Sequence, residues 1–98
     1  MPLFVISWMD KPDSLAVRMG AREGHLAYMK SFGDRVKLGG PYLDPKGDMA
    51  GSLILLECES LDEAKAIHAA DPYTLAGLFE TSSVSAWRVT TGDWAKQS

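Results

Sequence analysis

The chain has few of the features that mark several large classes of protein. It contains one cysteine, Cys58, so it can form no internal disulfide and no cysteine-based metal cluster. Its formal net charge of -3 offers no basic surface of the kind that binds nucleic acid. No apolar run approaches the length of a membrane span, and the start, MPLFVISWMDK, lacks the basic segment of a signal peptide. We therefore expect a cytoplasmic protein without nucleic-acid or membrane partners, and no phosphate-binding loop or metal-ligand pattern calls for a cofactor.

What the chain does have is enough apolar material for one folded unit. Its 98 residues suit a single domain over residues 1–98, and 46% of them are hydrophobic. A domain of this size buries only a modest fraction of its surface when it is alone. Association with a second copy is therefore plausible from the length.

Strand and helix patterns alternate along the chain. Short runs rich in apolar and β-branched residues predict four strands, over residues 3–9, 36–40, 52–58 and 84–90. Helical spacing predicts a first helix from Asp13 and Ser14 to about residue 32. Gly20 and Gly24 weaken the first part of that helix.

The second half of the chain carries two helix starts. Ser60 followed by Glu63 forms a capping box, which opens a second helix over residues 61–70. Asp71 and Pro72 then have the residue types of an N-cap and a first helical position, so a short helical segment is expected to follow.

The connections between these elements are short. Residues 41–51 are rich in turn formers and predict a hairpin connection, and the tail over residues 91–98 is polar apart from Trp94. The order β-α-β-β-α-β predicts an α+β, ferredoxin-like fold, in which an antiparallel sheet carries both helices on one face.

Two of the predicted strands are apolar on both faces. In the first strand, Phe4, Ile6 and Trp8 point to one side, and further apolar residues point to the other; the third strand contains the run LILL at residues 53–56. A sheet with one solvated face would alternate apolar and polar residues. Two helices cover only one face, so we predict that the sheet of a second subunit covers the other in a face-to-face homodimer. The alternative is a monomer whose loops or tail fold over the open face.

His25 is the first candidate for chemistry. On a helix it belongs to a stripe at three- and four-residue spacing, formed by Arg18, Arg22, His25, Met29 and Phe32. The stripe is polar at one end and apolar at the other, so His25 is expected to be partly buried and still within reach of a ligand. A histidine in that position can act as a general acid or base near neutral pH. The alternative is an ordinary histidine at the edge of a core.

Asp71 is the second candidate. An aspartate before a proline is commonly a helix cap, and that is its ordinary interpretation. The two roles are compatible, because one carboxylate oxygen can cap a helix while the other orients an imidazole.

Four further residues are candidates for binding a small-molecule substrate. Arg22 lies one turn before His25 and could hold an anionic group. Ser52 could offer a hydroxyl at the start of a strand, Tyr73 an aromatic surface, and Gly40 a close approach of the backbone. Each has an ordinary alternative: a solvated charge, a strand serine, a core or rim aromatic, and a turn glycine.

The second histidine and the cysteine are not assigned to the site. His68 lies among small residues on the second helix and is interpreted as exposed or structural. Cys58 lies near the end of a strand and is interpreted as a small buried apolar residue.

Several short motifs together resemble the YciI-like family. They occur in the family's order and spacing over nearly the whole chain, as REGHL at residues 22–26, GGP at 39–41, GSLI at 51–54, ADPY at 70–73, AGLF at 76–79 and an aromatic residue at Trp87. The resemblance implies a dimeric α/β barrel of ferredoxin-like subunits. It also implies a His-Asp pair as the functional centre, and by matching motif that pair is His25 and Asp71.

The reaction follows less directly from the resemblance. One characterised type of family member is a dehydrochlorinase of a chlorinated hydroxyquinol, which implies elimination or isomerisation chemistry. The leading hypothesis is therefore a cofactor-independent lyase or isomerase, in which His25 moves a proton and Asp71 orients the His25 imidazole. The alternatives are a non-catalytic metabolite-binding dimer, a metal-free monooxygenase, and a tautomerase that uses Pro2 after removal of Met1.

Overall fold

The computed structural model describes residues 1–93, and its elements follow the predicted order. They are β1 (Leu3–Asp10), α1 (Leu15–Lys30), a 3-10 turn (Gly33–Arg35), β2 (Val36–Leu43), β3 (Met49–Glu57), α2 (Leu61–Ala69), α3 (Pro72–Leu75) and β4 (Phe79–Trp87). Most of the predicted tail, Trp94 included, lies outside the described residues. No helix within residues 1–93 is long and apolar enough to cross a membrane.

The four strands form one antiparallel sheet in the order β2-β3-β1-β4. β1 pairs with β3 so that Trp8 lies opposite Ser52, and it pairs with β4 so that Ile6 lies opposite Val84. This strand order, with helices connecting β1 to β2 and β3 to β4, confirms the α+β, ferredoxin-like fold.

The core lies between the sheet and the helices. Phe4, Ile6 and Trp8 alternate along β1 and are at most 4% exposed, which confirms the predicted inward side of that strand. They share one apolar cluster with buried residues of the other elements, among them Ile54, Leu56, Ala64, Ile67, Tyr73 and Leu78.

The second helix begins where its capping box predicts. Ser60 Oγ accepts a hydrogen bond from the Glu63 backbone N–H at 3.1 Å. The Glu63 carboxylate accepts one from the Glu59 backbone N–H at 2.8 Å. Two backbone donors at the helix start are thereby satisfied, which fixes the direction in which α2 leaves β3.

Several boundaries differ from the sequence prediction. β3 begins at Met49, three residues earlier than predicted, and β4 ends at Trp87, three residues before its predicted end. β2 continues through Pro41 to Leu43, because it is an edge strand, where a residue without an N–H costs no central ladder bond. β4 runs over Phe79–Trp87, and its polar start escaped prediction because an edge strand with exposed side chains needs no apolar alternation. α1 ends at Lys30, two residues early, and a 3-10 turn follows.

Candidate functional site

The buried face of α1 is polar. Its buried residues are Arg18 and His25, which are 2% and 7% exposed. Burying a charged or titratable side chain is costly unless it is paired and hydrogen-bonded. We therefore describe which residues pair with these two side chains between α1 and the sheet.

His25 is paired with Asp71. Its Nδ1 lies 2.8 Å from Asp71 Oδ2 and 3.0 Å from Oδ1, and Asp71 is 1% exposed. These distances are well within hydrogen-bond reach. Two residues that the sequence analysis identified separately, on α1 and at the start of α3, thus form one buried contact.

Asp71 also caps α3. Its Oδ1 accepts the backbone N–H of Tyr73 at 2.9 Å, while Pro72, at the first helical position, has no N–H that needs a partner. The carboxylate is therefore held by the helix that it starts, and its orientation towards His25 follows from the local sequence Asp71-Pro72-Tyr73.

The contact also determines which nitrogen of His25 is left for a ligand. A carboxylate accepts hydrogen bonds, so Nδ1 carries the hydrogen and Nε2 of the neutral ring has a free lone pair. Within residues 1–93, the two ring nitrogens of His68 are shielded from solvent and have no hydrogen-bond partner, and no other buried side-chain N or O atom shares this state. Nε2 of His25 has no hydrogen-bond partner in the described part of the chain, and the His25 side chain is 9% exposed.

Tyr73 packs directly on the imidazole. The two rings are stacked with their centroids 4.2 Å apart and an angle of 18° between their planes, and Tyr73 is 1% exposed. Burial raises the pKa of the Tyr73 hydroxyl, although the charges of Arg18 and Arg22 act in the opposite direction. The phenol is thus kept in its protonated form, in which it can donate a hydrogen bond.

Arg18 lies on the other side of the site, in a fixed orientation. Its Nε donates to Asp10 Oδ2 at 2.7 Å, and its Nη2 donates to Asp10 Oδ1 at 3.0 Å and to Ser52 Oγ at 3.1 Å. Its Cζ lies 4.8 Å from the centre of the Tyr73 ring. Asp10 also accepts a hydrogen bond from Trp8 Nε1 at 3.2 Å, so one carboxylate aligns two side chains of the site.

The remaining predicted binding residues are placed differently from one another. Ser52 is buried and reaches the site through its hydrogen bond with Arg18. Arg22 is exposed, and its charge acts on Tyr73. Gly40 lies in the edge strand β2 opposite Leu53, and a side-chain carbon placed on it would meet nothing within 4 Å. In register, Gly40 is one residue from the pair that Pro41 forms with Ser52.

Sequence reasoning missed Arg18 and Asp10 as site residues. Arg18 stood in the same helical stripe as His25, two turns earlier, so its position on the inner face of α1 could have been taken from the spacing. Asp10 was interpreted as the end of a strand, and no local pattern indicates that it meets Arg18.

His68 is buried rather than exposed. It is 9% exposed, its ring stacks on Phe79 at 5.1 Å, and it lies 5.6 Å from the Trp8 ring. Burial lowers the pKa of His68 below its ordinary value of 6.5, while the nearby charge of Asp71 acts to raise it. Of the two alternatives given for His68 by the sequence, exposed or structural, its buried position agrees with the structural one.

The other residues able to bind metals do not cluster. Within residues 1–93, no group of three or more His, Cys, Asp or Glu side chains is arranged to hold a metal ion. Cys58 is a free, buried thiol, and burial raises its pKa.

Comparison with known proteins places these residues in a family context. Residues 2–88 match the model of the YCII-related domain. Protein YciI of Escherichia coli O6:H1 (strain CFT073) is 38% identical over 94 residues, which cover 88% of this chain and 96% of that protein. The protein of the same name from Shigella flexneri matches to the same extent.

Solved structures agree with this result. The 5-chloro-2-hydroxyhydroquinone dehydrochlorinase TftG from Burkholderia phenoliruptrix AC1100, in complex with 2,5-dihydroxybenzoquinone, superimposes with a TM-score of 0.82. It is 38% identical, and the match covers 88% of this chain and 93% of that one. An antibiotic biosynthesis monooxygenase superimposes with a TM-score of 0.57 at 12% identity, which shows a shared fold alone.

Proposed function

The chain belongs to the YCII-related family, and on that premise we propose that it is a small-molecule enzyme in which the His25–Asp71 pair moves a proton. The reaction is of the lyase or isomerase type and needs no cofactor. The observation that carries the proposal is the buried contact between His25 Nδ1 and Asp71, which leaves the lone pair of Nε2 without a partner in the described part of the chain. The named activity and bound quinone of TftG support a small hydroxylated ring as the class of substrate.

In the proposed reaction, the lone pair of His25 Nε2 accepts a proton from the substrate. The electron pair of the broken bond stays with the substrate. In a lyase this pair expels a leaving group, such as chloride, with its bonding electrons, so that the substrate loses HCl. In an isomerase the imidazolium returns the proton to a different atom. A positioned acid or base of this kind contributes roughly 10²–10⁴-fold to the rate.

Asp71 acts through the imidazole. It keeps the hydrogen on Nδ1, it fixes the ring plane, and its charge stabilises the imidazolium that forms when Nε2 takes the proton. Because the carboxylate is also the cap of α3, it needs no rearrangement during the reaction.

The active unit in this proposal is a homodimer. The face of the sheet opposite the helices carries exposed apolar side chains, and Leu38 and Trp87 on it are 41% and 45% exposed. A groove of about 750 Å³ on the same face is lined by Leu3, Leu55 and Trp87 among others. The segment after β4 covers part of this face, because Val89, Thr91, Gly92 and Asp93 line the same groove and Leu55 is buried. A second copy would cover this surface, and sedimentation equilibrium showing a monomer at micromolar concentration would contradict the homodimer.

The expected compartment is a reducing, cytoplasmic one, because the chain has a single cysteine, Cys58.

The test of the function is turnover by paired histidine variants. The wild type, His25→Gln and His68→Gln are incubated with 5-chloro-2-hydroxyhydroquinone and with chlorine-free hydroxyquinones in deuterated water. Chloride release reports elimination, and deuterium incorporation reports isomerisation. We expect His25→Gln to lose roughly 10²–10⁴-fold of the wild-type rate and His68→Gln to retain it.

Two results decide against this proposal. A His25→Gln rate within a few fold of the wild type removes the histidine from the chemistry. Tight binding of a ring compound by the wild type, with neither chloride release nor deuterium incorporation for any compound, favours the non-catalytic metabolite-binding dimer.

A further inference from the structure

His68 is a buried polar side chain that the proposed chemistry does not use. Both of its ring nitrogens are shielded from solvent and have no hydrogen-bond partner within residues 1–93. A buried polar group without a partner costs free energy and is therefore rare in folded proteins. The neutral imidazole keeps that cost low, because an imidazolium in the same place would bury a charge and two N–H donors at once.

The imidazole lies in an aromatic slot formed by Trp8 of β1 and Phe79 of β4. It stacks on Phe79 with the ring centroids 5.1 Å apart and an angle of 7° between the planes, and its centroid lies 5.6 Å from that of Trp8. Trp8 also meets the His25 ring edge-on, with the centroids 5.9 Å apart. The two histidines therefore contact the same indole, and the slot suits His68 in its neutral form.

The charge that acts on His68 is that of Asp71. Burial lowers the pKa of His68 below its ordinary value of 6.5, and the Asp71 charge acts in the opposite direction with the smaller effect. The oxygens of that carboxylate are already engaged by His25 Nδ1 and by the Tyr73 backbone N–H. The charged side chains of α2 and of the start of β4 lie at or near the surface, and they are Asp62, Glu63, Lys65 and Glu80.

The backbone of His68 anchors the turn that presents Asp71. Its carbonyl oxygen accepts the Asp71 backbone N–H at 3.2 Å and the Thr74 hydroxyl at 2.6 Å. The preceding carbonyl, that of Ile67, accepts the Tyr28 hydroxyl from α1 at 2.8 Å. A movement of His68 therefore moves the turn between α2 and α3, and with it the carboxylate of the candidate pair.

We propose that His68 is an acid-sensing residue: when its ring takes up a proton, it leaves the aromatic slot, the turn between α2 and α3 opens, and Asp71 releases His25. This regulation rests on the proposed function, because it acts on the same pair. The proton adds to the lone pair of a ring nitrogen and leaves again at higher pH, so the change is reversible. The open form binds the proton as an ordinary histidine does, and the closed form excludes it. The ratio of open to closed chains therefore rises up to about tenfold for each pH unit below about 6.5.

Hydrogen exchange of the Asp71 backbone amide measures this opening without any substrate. The amide donates to the His68 carbonyl, so its protection, the ratio of intrinsic to observed exchange rate at each pH, reports how often the turn opens. In the wild type, we expect the protection to fall up to about tenfold per pH unit between about pH 6 and pH 5. The amides of the central strand β3 should remain better protected than Asp71 at every pH, which would show that the opening is local.

Two variants remove the proton site, and a third is the matched control. His68→Phe fills the slot with a ring that takes up no proton, and His68→Gln provides a second side chain that does not titrate. In both, the Asp71 protection should not change with pH. Phe79→Leu weakens the same slot but keeps the titrating ring, so we expect lower Asp71 protection than in the wild type with the pH dependence retained. Circular dichroism verifies that each variant is folded.

Turnover of 5-chloro-2-hydroxyhydroquinone gives a second measurement. Protonation of the base His25 accounts for one proton in the acid limb of the rate, and the opening at His68 adds a second. The wild-type rate should therefore fall up to about a hundredfold per pH unit at the acid end, and that of His68→Phe only about tenfold. At neutral pH the two rates should be equal, because His68 is then neutral in the wild type.

The possible results separate this inference from the proposed function. An Asp71 protection that is independent of pH in the wild type, or that changes equally in the wild type and in His68→Phe, overturns the inference. Turnover at neutral pH that depends on His25 would survive that outcome. A pH-dependent protection that His68→Phe abolishes supports the inference even if the wild type turns nothing over, a result that would contradict the proposed function alone.

Discussion

Replacing Asp71 by asparagine changes the charge of the buried pair while keeping its shape. In the native chain, Oδ1 of Asp71 accepts the Tyr73 backbone N–H, and the carboxylate accepts Nδ1–H of His25. In Asp71→Asn the amide oxygen can still cap α3, which turns the amide NH₂ towards His25. The imidazole must then accept at Nδ1, so its hydrogen moves to Nε2, and the lone pair needed for proton abstraction is lost.

The expected magnitudes follow from these contacts. A hydrogen bond to a charged group contributes about 1.5–3 kcal/mol, and a neutral one contributes about 0.5–1.5 kcal/mol. Asp71→Asn exchanges the first for the second, so the free energy of unfolding should fall by about 1–2 kcal/mol. Asp71→Ala also removes the cap and should cost about 1 kcal/mol more. Activity should fall far more than stability, by roughly 10²–10⁴-fold, because the wrong tautomer predominates.

The tautomer can be read without any substrate. Long-range ¹H–¹⁵N correlation spectra distinguish the protonated from the unprotonated ring nitrogen of each neutral histidine. We expect His25 to carry its hydrogen on Nδ1 in the wild type and on Nε2 in Asp71→Asn. His68, whose ring nitrogens have no partner in residues 1–93, serves as the internal reference. A His25 tautomer that stays the same in Asp71→Asn would show that Asp71 does not determine which nitrogen carries the hydrogen.

Three further predictions concern stability and reactivity. Burial lowers the pKa of His68 below 6.5, so the unfolded chain binds the proton at a higher pH than the folded chain. The free energy of unfolding, measured by urea titration, should therefore fall as the pH drops below about 6.5, by up to about 1.4 kcal/mol per pH unit. His68→Phe should lose that part of the pH dependence, and an unchanged pH dependence would contradict the prediction. Gly51→Ala should destabilise the chain by about 1–3 kcal/mol, because its Cβ would collide with the Trp8 carbonyl oxygen. Gly40→Ala is the control and should cost less, because a Cβ there meets nothing within 4 Å. Equal shifts of the melting temperature in the two variants would contradict this prediction. The Cys58 thiol, buried and with a raised pKa, should react with a disulfide reagent only after unfolding, and rapid labelling of the folded chain would show the burial to be wrong.

The fold was largely predictable because local patterns decide it. The alternation in β1 and the capping box at Ser60 are read within a few residues, and the structure confirms both. Two of the missed boundaries lie in the edge strands, where Pro41 and the polar start of β4 are tolerated because one side of each strand forms no ladder. Edge position is a property of the sheet, and single segments do not reveal it.

The candidate site was predictable only in part, and the reason is again physical. His25 and Asp71 were identified by family resemblance, since spacing alone gave each an ordinary role. Arg18 was visible on the right helical stripe, but its partner Asp10 was not. Contacts between residues far apart in sequence depend on how α1 lies against β1, which no local pattern encodes.

The most direct test of the central claim is a crystal structure of the protein with 2,5-dihydroxybenzoquinone bound. We expect a ligand oxygen within hydrogen-bond reach of His25 Nε2, at about 2.6–3.2 Å, with the contact between Nδ1 and Asp71 retained. A ligand bound instead in the groove beside Leu55 and Trp87, with His25 untouched, would mean that His25 does not form the substrate site.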